Sequence, residues 1–210
     1  MKIFLENIGR RYNREWIFRG INYTFEQGKS YAILGANGSG KSTLLQVISA
    51  SLTPSYGTIS YLKEGKIVDI DTAFRQLSVA APYLELIEEF TLQEQIDFHF
   101  SFKNYQKGLD GGNVVEILGF ESSRNKAIKY FSSGMKQRTK LALAFCSDTP
   151  ILLLDEPASN LDKSGMAWYL DLIAKFTADR MVIIGSNQEQ EYNFCENELH
   201  LSDYKDTKRS

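Results

Sequence analysis

Three runs along the chain are apolar without interruption: Tyr31-Ala32-Ile33-Leu34, Ile151-Leu152-Leu153-Leu154 and Met181-Val182-Ile183-Ile184. A strand with no polar face is covered on both sides, which is the condition of a parallel sheet sandwiched between helices. The first stretch of the chain reads differently. Ile3-Phe4-Leu5, Trp16-Ile17-Phe18 and Ile21-Asn22-Tyr23-Thr24-Phe25 are short and strand-like, with Tyr23 and Phe25 on one face, and Gln27-Gly28 closes them with a turn. The simplest arrangement is an antiparallel sheet feeding the strand at Tyr31. Tyr12 lies in the polar link Arg10-Arg11-Tyr12-Asn13, read here as a loop.

Pro54 and Gly57 punctuate a turn, and Thr58 to Leu62, Lys63 to Lys66 and Ile67 to Ile70 read as strand, tight turn, strand. Leu77 to Ala80 is a further short strand ending at Ala81-Pro82. Thr91-Leu92-Gln93-Glu94 is a capping box that opens a helix to about Phe102, with Leu92, Ile96 and Phe100 along one stripe. Lys103 to Gly112 reads as a loop and Val114 to Leu118 as a short helix. A longer helix follows Ser132 and Ser133, both candidate caps, and stops before Pro150. Met166, Tyr169, Leu170, Ile173 and Phe176 mark one face of another helix. Asn197 to Leu201 suits an edge strand, and Tyr204 to Ser210 a frayed tail. The sum is an α/β fold with a mixed sheet: antiparallel at its beginning, parallel later, with a helical middle. No linker is long enough to divide the chain, so residues 1–210 are expected to form one domain, with a helical subdomain at about 86–147.

The chemistry concentrates where the first uninterrupted run ends. Gly35-Ala36-Asn37-Gly38-Ser39-Gly40-Lys41-Ser42-Thr43 lies between that strand and the amphipathic stretch Leu44 to Ile48. Glycines there turn successive N–H groups inward at a helix N-terminus, making an anion nest in which the helix dipole also favours negative charge. The spacing G-x-x-x-x-G-K-S is that of a P-loop. Lys41 is placed to reach the β- and γ-phosphates of a nucleotide, and Ser42 to ligate the Mg²⁺ that bridges them. A second pair of groups, Asp155 and Glu156, follows the Ile151 to Leu154 strand, at the sheet edge where α/β folds bind ligands. In a P-loop protein the first can hold Mg²⁺, and the second can orient or deprotonate the attacking water.

Composition narrows the partners. A net charge of −2 gives no broad electrostatic footprint for nucleic acid. The apolar runs fall far short of the ~20 residues that cross a bilayer, and Glu6 interrupts the first one too early for a signal peptide, so a cytoplasmic location is expected. Cys146 and Cys195 are too far apart in sequence for a zinc pair and are read as reduced, structural thiols.

Phe131-Ser132-Ser133-Gly134-Met135-Lys136-Gln137-Arg138 precedes Ile151 to Pro157, and Ser159-Asn160-Leu161-Asp162 follows. Taken with the P-loop, this set resembles the nucleotide-binding subunit of ATP-binding-cassette (ABC) transporters, and the resemblance covers nearly the whole chain. Phe131 to Arg138 looks like the family's signature motif and Ser159 to Asp162 like its D-loop. The resemblance implies a P-loop NTPase whose helical insertion carries the signature. It implies that Tyr12 stacks on adenine, that Gly35, Ala36, Asn37, Gly38, Ser39, Gly40, Lys41, Ser42 and Thr43 cradle the phosphates of ATP, and that Ser42 and Asp155 hold Mg²⁺. It further implies a head-to-tail pair of ATP-binding subunits, identical or not, in which Ser132, Ser133 and Gly134 face the γ-phosphate bound by the other. The expected partner is a separate integral membrane permease, which would hold the chain at the inner face of the cell membrane.

Two positions depart from the family pattern. Ala81 stands where the family has a glutamine just before Pro82, and Asn187 stands where it has a histidine after the last buried strand. Glu156 and Asn187 are the candidate catalytic residues, and slow hydrolysis is expected. Gln76 and Gln188 are the candidates to supply a lost amide, and neither stands at the place the family pattern expects. The rival readings are a soluble, non-transport ABC-type ATPase with a regulatory or assembly role and a P-loop small-molecule kinase. The chain has neither the long coiled-coil insertion nor the tandem cassette that would favour the first, and a kinase would need a lid and acceptor pocket in place of Phe131 to Arg138.

Overall fold

The computed structural model describes residues 1–205. The chain forms nine strands and six α-helices within them. In order these are β1 Lys2–Tyr12, β2 Glu15–Glu26, β3 Ser30–Leu34, α1 Lys41–Ile48, β4 Tyr56–Lys63, β5 Lys66–Val68, β6 Leu77–Ala80, α2 Leu92–Phe100, α3 Gly111–Leu118, α4 Ser133–Cys146, β7 Ile151–Asp155, α5 Lys163–Phe176, β8 Met181–Gly185, α6 Glu189–Tyr192 and β9 Asn197–His200.

The α/β class expected from the sequence is present, with its two kinds of pairing divided between two sheets. One is antiparallel in the order β2-β1-β4-β5, and the other is parallel in the order β6-β7-β8-β3-β9. The strand before the P-loop, β3, therefore does not continue the antiparallel sheet. Its partners are β8 and β9, both parallel to it. The reason is burial on both faces. Ile151 and Leu153 of β7 and Met181 and Ile183 of β8 point into a core shared with α1 and the antiparallel sheet, while Leu152, Leu154, Val182 and Ile184 point to the opposite core, against α4 and α5. Period two thus operates inside an unbroken apolar run, because both faces are dry.

A third cluster joins Leu92 and Ile96 of α2 to Val114, Val115 and Leu118 of α3 and Ala142 and Cys146 of α4. The capping box at Thr91 is present, and Asp110 forms a second one with Asn113, so α3 begins at Gly111, inside the stretch read as a loop. An asparagine in the place of the usual Glu or Gln hides that signal.

Four further details differ from the sequence reading. Tyr12 ends β1, paired with Glu15, and only Asn13-Arg14 turns the chain. Gly57 lies inside β4 at φ 85°, and a Cβ there would sit 2.3 Å from the Asn7 carbonyl oxygen, where the β1–β4 register shifts. Leu170 of α5 faces solvent, and Leu172 takes the buried position. Tyr204 packs on the core within a short 3₁₀ turn, and residues 206–210 of the expected tail lie outside the described residues. Among the described residues both cysteines are free, and no helix is long and apolar enough to cross a membrane.

Candidate functional site

β3 delivers the chain to the nest, and α1 carries it away. Gly38 and Gly40 adopt φ 74° and 107°. A Cβ on Gly40 would stand 2.3 Å from Ile17 Cγ2, so β2 presses against the loop and requires glycine there. Lys41 is almost fully buried, and its Nζ donates to the carbonyls of Gly35 at 2.9 Å and Ala36 at 3.4 Å. The ammonium is folded back onto its own loop, at the bottom of the nest. The buried hydroxyl of Ser39 has no partner.

The parallel sheet brings Asp155 to the same place from β7. This carboxylate is 1% exposed, and neither oxygen receives a hydrogen bond. Burial is the largest influence and raises its pKa. The neighbouring Ser42 hydroxyl and the Lys41 charge oppose the rise, while the like charge of Glu156 adds to it. A buried, unpaired carboxylate beside a hydroxyl is a poor structural element, because nothing compensates its lost hydration. It is a good partial shell for a hard divalent cation, which takes oxygen ligands and leaves its other positions to water and phosphate. Ser42 and Asp155 therefore fit Mg²⁺. Glu156 follows at φ 44°, a conformation that costs a non-glycine residue energy, and its N–H donates to the Gly185 carbonyl at 2.9 Å. The loop after β8 closes the site, where Asn187 Nδ2 donates to Asn37 Oδ1 at 2.8 Å. The residue that departs from the family pattern is thus bonded to the P-loop itself.

Ala81 is wholly buried and brings no polar side chain. Gln76 does not replace it, since its Oε1 accepts from Lys63 of β4 at 3.0 Å. Gln188 precedes α6 and makes no side-chain capping bond. Tyr83, two residues after Ala81, was not singled out by the sequence reading. Although 41% of the residue is exposed, lost hydration around its phenol and then the negative charge of Asp155 push the phenol up to about 12, and the neighbouring Gln46 side chain of α1 works against them. No sequence signal marks Tyr83, because its neighbours Gln46 and Asp155 come from elements far away in the chain.

Other candidates lie apart from this cluster. Ser132 caps α4, its Oγ accepting from Met135 N at 3.2 Å, and with Ser133, Gly134, Asn160 and Asp162 it borders a cavity of about 360 Å³. Gly134 abuts the 157–162 turn so closely that a Cβ would lie 3.0 Å from the Asn160 carbonyl oxygen, and Gln137 Nε2 donates to the Pro157 carbonyl at 2.8 Å. Among the described residues no hydrogen bond or ion pair joins Ser132, Ser133 or Gly134 to Gly35 through Thr43. Tyr12 is half exposed, with the Arg10 guanidinium 4.7 Å from its ring centre, and Trp16 lies between Arg11 and Arg19.

Comparison with known proteins gives a consistent family. Residues 18–159 match the family model described as ABC transporter. The uncharacterized ABC transporter ATP-binding protein YybJ of Bacillus subtilis is 27% identical over 199 residues, covering 93% of this chain and 90% of that protein. The lantibiotic transport ATP-binding protein SrtF of Streptococcus pyogenes is 27% identical over 188 residues, covering 87% and 78%. Among solved structures, the dimeric post-hydrolysis state of the ATP-binding cassette MJ0796 bound to ADP and Pi superposes with a TM-score of 0.81 at 21% identity, covering 97% of this chain and 94% of that one. That last likeness is one of fold.

The unpaired carboxylate yields a test that needs no ligand. A raised folded-state pKa means that folding disfavours the ionised form: the destabilisation is complete above that value and is relieved as pH falls through it. Asp155→Asn is therefore expected to raise the ligand-free melting temperature at pH 7 by a few degrees, from about 1–2 kcal/mol, with the gain shrinking toward acid pH. Calorimetry across pH checks this, and a fall in melting temperature at pH 7 refutes it.

Proposed function

This chain belongs to the ABC transporter family, and from that premise we propose that it is a transporter's ATP-binding subunit, which couples ATP binding and hydrolysis to movement in a separate membrane permease. The observation that carries the reading is the meeting, beneath the glycine loop, of the buried Lys41 ammonium with a buried Asp155 carboxylate whose two oxygens have no hydrogen-bond partner. Such a site is built for a polyanion bearing a divalent cation.

In this reading Lys41 exchanges the Gly35 and Ala36 carbonyls for β- and γ-phosphate oxygens, and the N–H groups of residues 35–43 hold the remaining oxygens. Ser42 and Asp155 hold Mg²⁺, which neutralises charge that develops on the phosphates. Glu156 accepts a proton from the attacking water. Asn187 contributes a neutral amide, which cannot carry a proton, so basal hydrolysis is slow. Tyr83 offers a neutral hydroxyl donor near the position where an amide is absent at Ala81. Tyr12 stacks on adenine. The whole chain acts as one ATP-binding domain, with 86–147 as its helical subdomain.

Ser132, Ser133 and Gly134 serve the γ-phosphate held by a second ATP-binding subunit, at a capped helix N-terminus. That no hydrogen bond or ion pair among the described residues ties them to residues 35–43 supports this division of labour. Two ATP molecules between two subunits then hold the pair together, hydrolysis loosens it, and the permease responds. Such a protein works in the cytoplasm at the inner face of the membrane.

Lys41→Ala is the direct test: ATP binding by calorimetry and phosphate release should both fall about a hundredfold or more, and turnover at the parent rate overturns the proposal. Asn187→His should raise kcat by about tenfold or more with little change in ATP affinity. A flat or lower kcat in a folded, ATP-binding variant means that the site has been rebuilt around the amide. Tyr83→Phe removes one hydroxyl and should lower kcat by about tenfold while ATP affinity stays within about twofold. Unchanged kcat removes Tyr83 from the machinery.

A further inference from the structure

Glu191 lies on the single-turn helix α6, in the polar run Gln188-Glu189-Gln190-Glu191, yet it is completely buried. The next residue of the helix, Tyr192, packs against the core of Tyr169, Leu172 and Ile184, and at a position as dry as that of Glu191 an apolar side chain would be the inexpensive choice. The carboxylate is held from two directions. Oε1 accepts the N–H of Ala158 at 2.9 Å, and Oε2 accepts the hydroxyl of Ser186. Ser186 Oγ in turn accepts the Gln188 N–H at 2.9 Å. The backbone carbonyl of Glu191 accepts the Tyr169 hydroxyl of α5 at 2.9 Å, which fixes the helix that carries it. Burial raises the Glu191 pKa, and the bonds from Ser186 and Ala158 oppose the rise.

The two ends of this carboxylate belong to different parts of the site. Ala158 is two residues beyond Glu156, and Ser186 immediately precedes Asn187. Beyond the strand ends, where Glu156 N–H meets the Gly185 carbonyl, no other hydrogen bond among the described residues crosses between residues 157–162 and 186–188. The same 157–162 turn touches Gly134 and Gln137 at the start of α4. One buried acceptor with two oxygens therefore spans the two loops that flank the phosphate site, and one of those loops touches the helix that carries Ser132 and Ser133.

We propose that Glu191 is a positioning residue, a rigid strut that makes the loop of Glu156 and the loop of Asn187 move as one unit. The functional part of this inference rests on the ATPase reading, whereas the strut itself is a property of the fold. A carboxylate does this where an apolar side chain cannot, because it accepts one directed bond on each oxygen and so sets a distance as well as filling space.

The experiment separates the two. Hydrogen–deuterium exchange of the ligand-free chain is followed in Ser186→Ala, which removes one end of the strut. The expected result is exchange about tenfold faster in the 157–161 segment as well as in 186–188. Exchange that rises only around 186 overturns the strut. In steady-state hydrolysis Glu191→Ala should lower kcat about ten- to a hundredfold with ATP affinity within about twofold. Glu191→Gln keeps one acceptor oxygen and one donor, so it should recover most of the loss. If Glu191→Ala does not fold, the Gln variant and Ser186→Ala decide. Coupled exchange with an unaltered kcat reduces Glu191 to a brace and overturns its positioning role. If the parent chain hydrolyses no ATP, the ATPase reading fails on its own, and the exchange result still decides the strut.

Discussion

The structure depends on tolerating charge that its own fold does not satisfy. Asp155 sits at the end of a fully buried strand with no hydrogen bond to either oxygen, and Lys41 is turned back onto the carbonyls of its own loop. The carboxylate would be more stable where water reaches it, and the packing of the elements around it keeps it here. β7 is packed on both faces, and α1 is wedged between the two sheets. An unsatisfied site is affordable only inside a frame stiff enough to resist collapsing onto it.

That frame explains the division into two sheets. The parallel sheet must be dry on both faces to hold β3 and β7 side by side with β8, so that Lys41, Asp155 and Gly185 meet. Gly185 contributes by absence, since a Cβ there would lie 3.2 Å from Asp155 Oδ1 and 3.4 Å from Lys41 Cβ. The antiparallel sheet covers one face and presses Ile17 and Phe18 onto Gly40, so it supports the nest from outside instead of extending the strand that leads to it.

What was legible in the sequence was local chemistry. Thr91 with Glu94, the glycine spacing from Gly35 to Gly40 and the apolar runs at Ile151 and Met181 each declare themselves within a few residues. What was not legible depends on partners distant in the chain. Tyr12 reads as loop because three polar neighbours mask the last ladder pairs of β1, and Asp110 with Asn113 caps a helix without the usual acidic partner. The assignment of β3 to the parallel sheet rests on pairing with β8, some 150 residues later in the chain. Glu191 sits in a run that any periodicity argument assigns to solvent, and Tyr83 borders the site only because β6, α1 and β7 converge.

The contact between Gly134 and Asn160 carries a consequence for how this chain can change over generations. Position 134 admits no side chain unless the backbone at 160 retreats, and Asn160 is itself held at φ 64°, where few residues are comfortable. Because the close contact is with a backbone oxygen, which every residue carries, exchanging Asn160 alone opens no room for a side chain at 134. A side chain at 134 is therefore admitted only together with a shift of a few tenths of an ångström in the turn that carries Asn160.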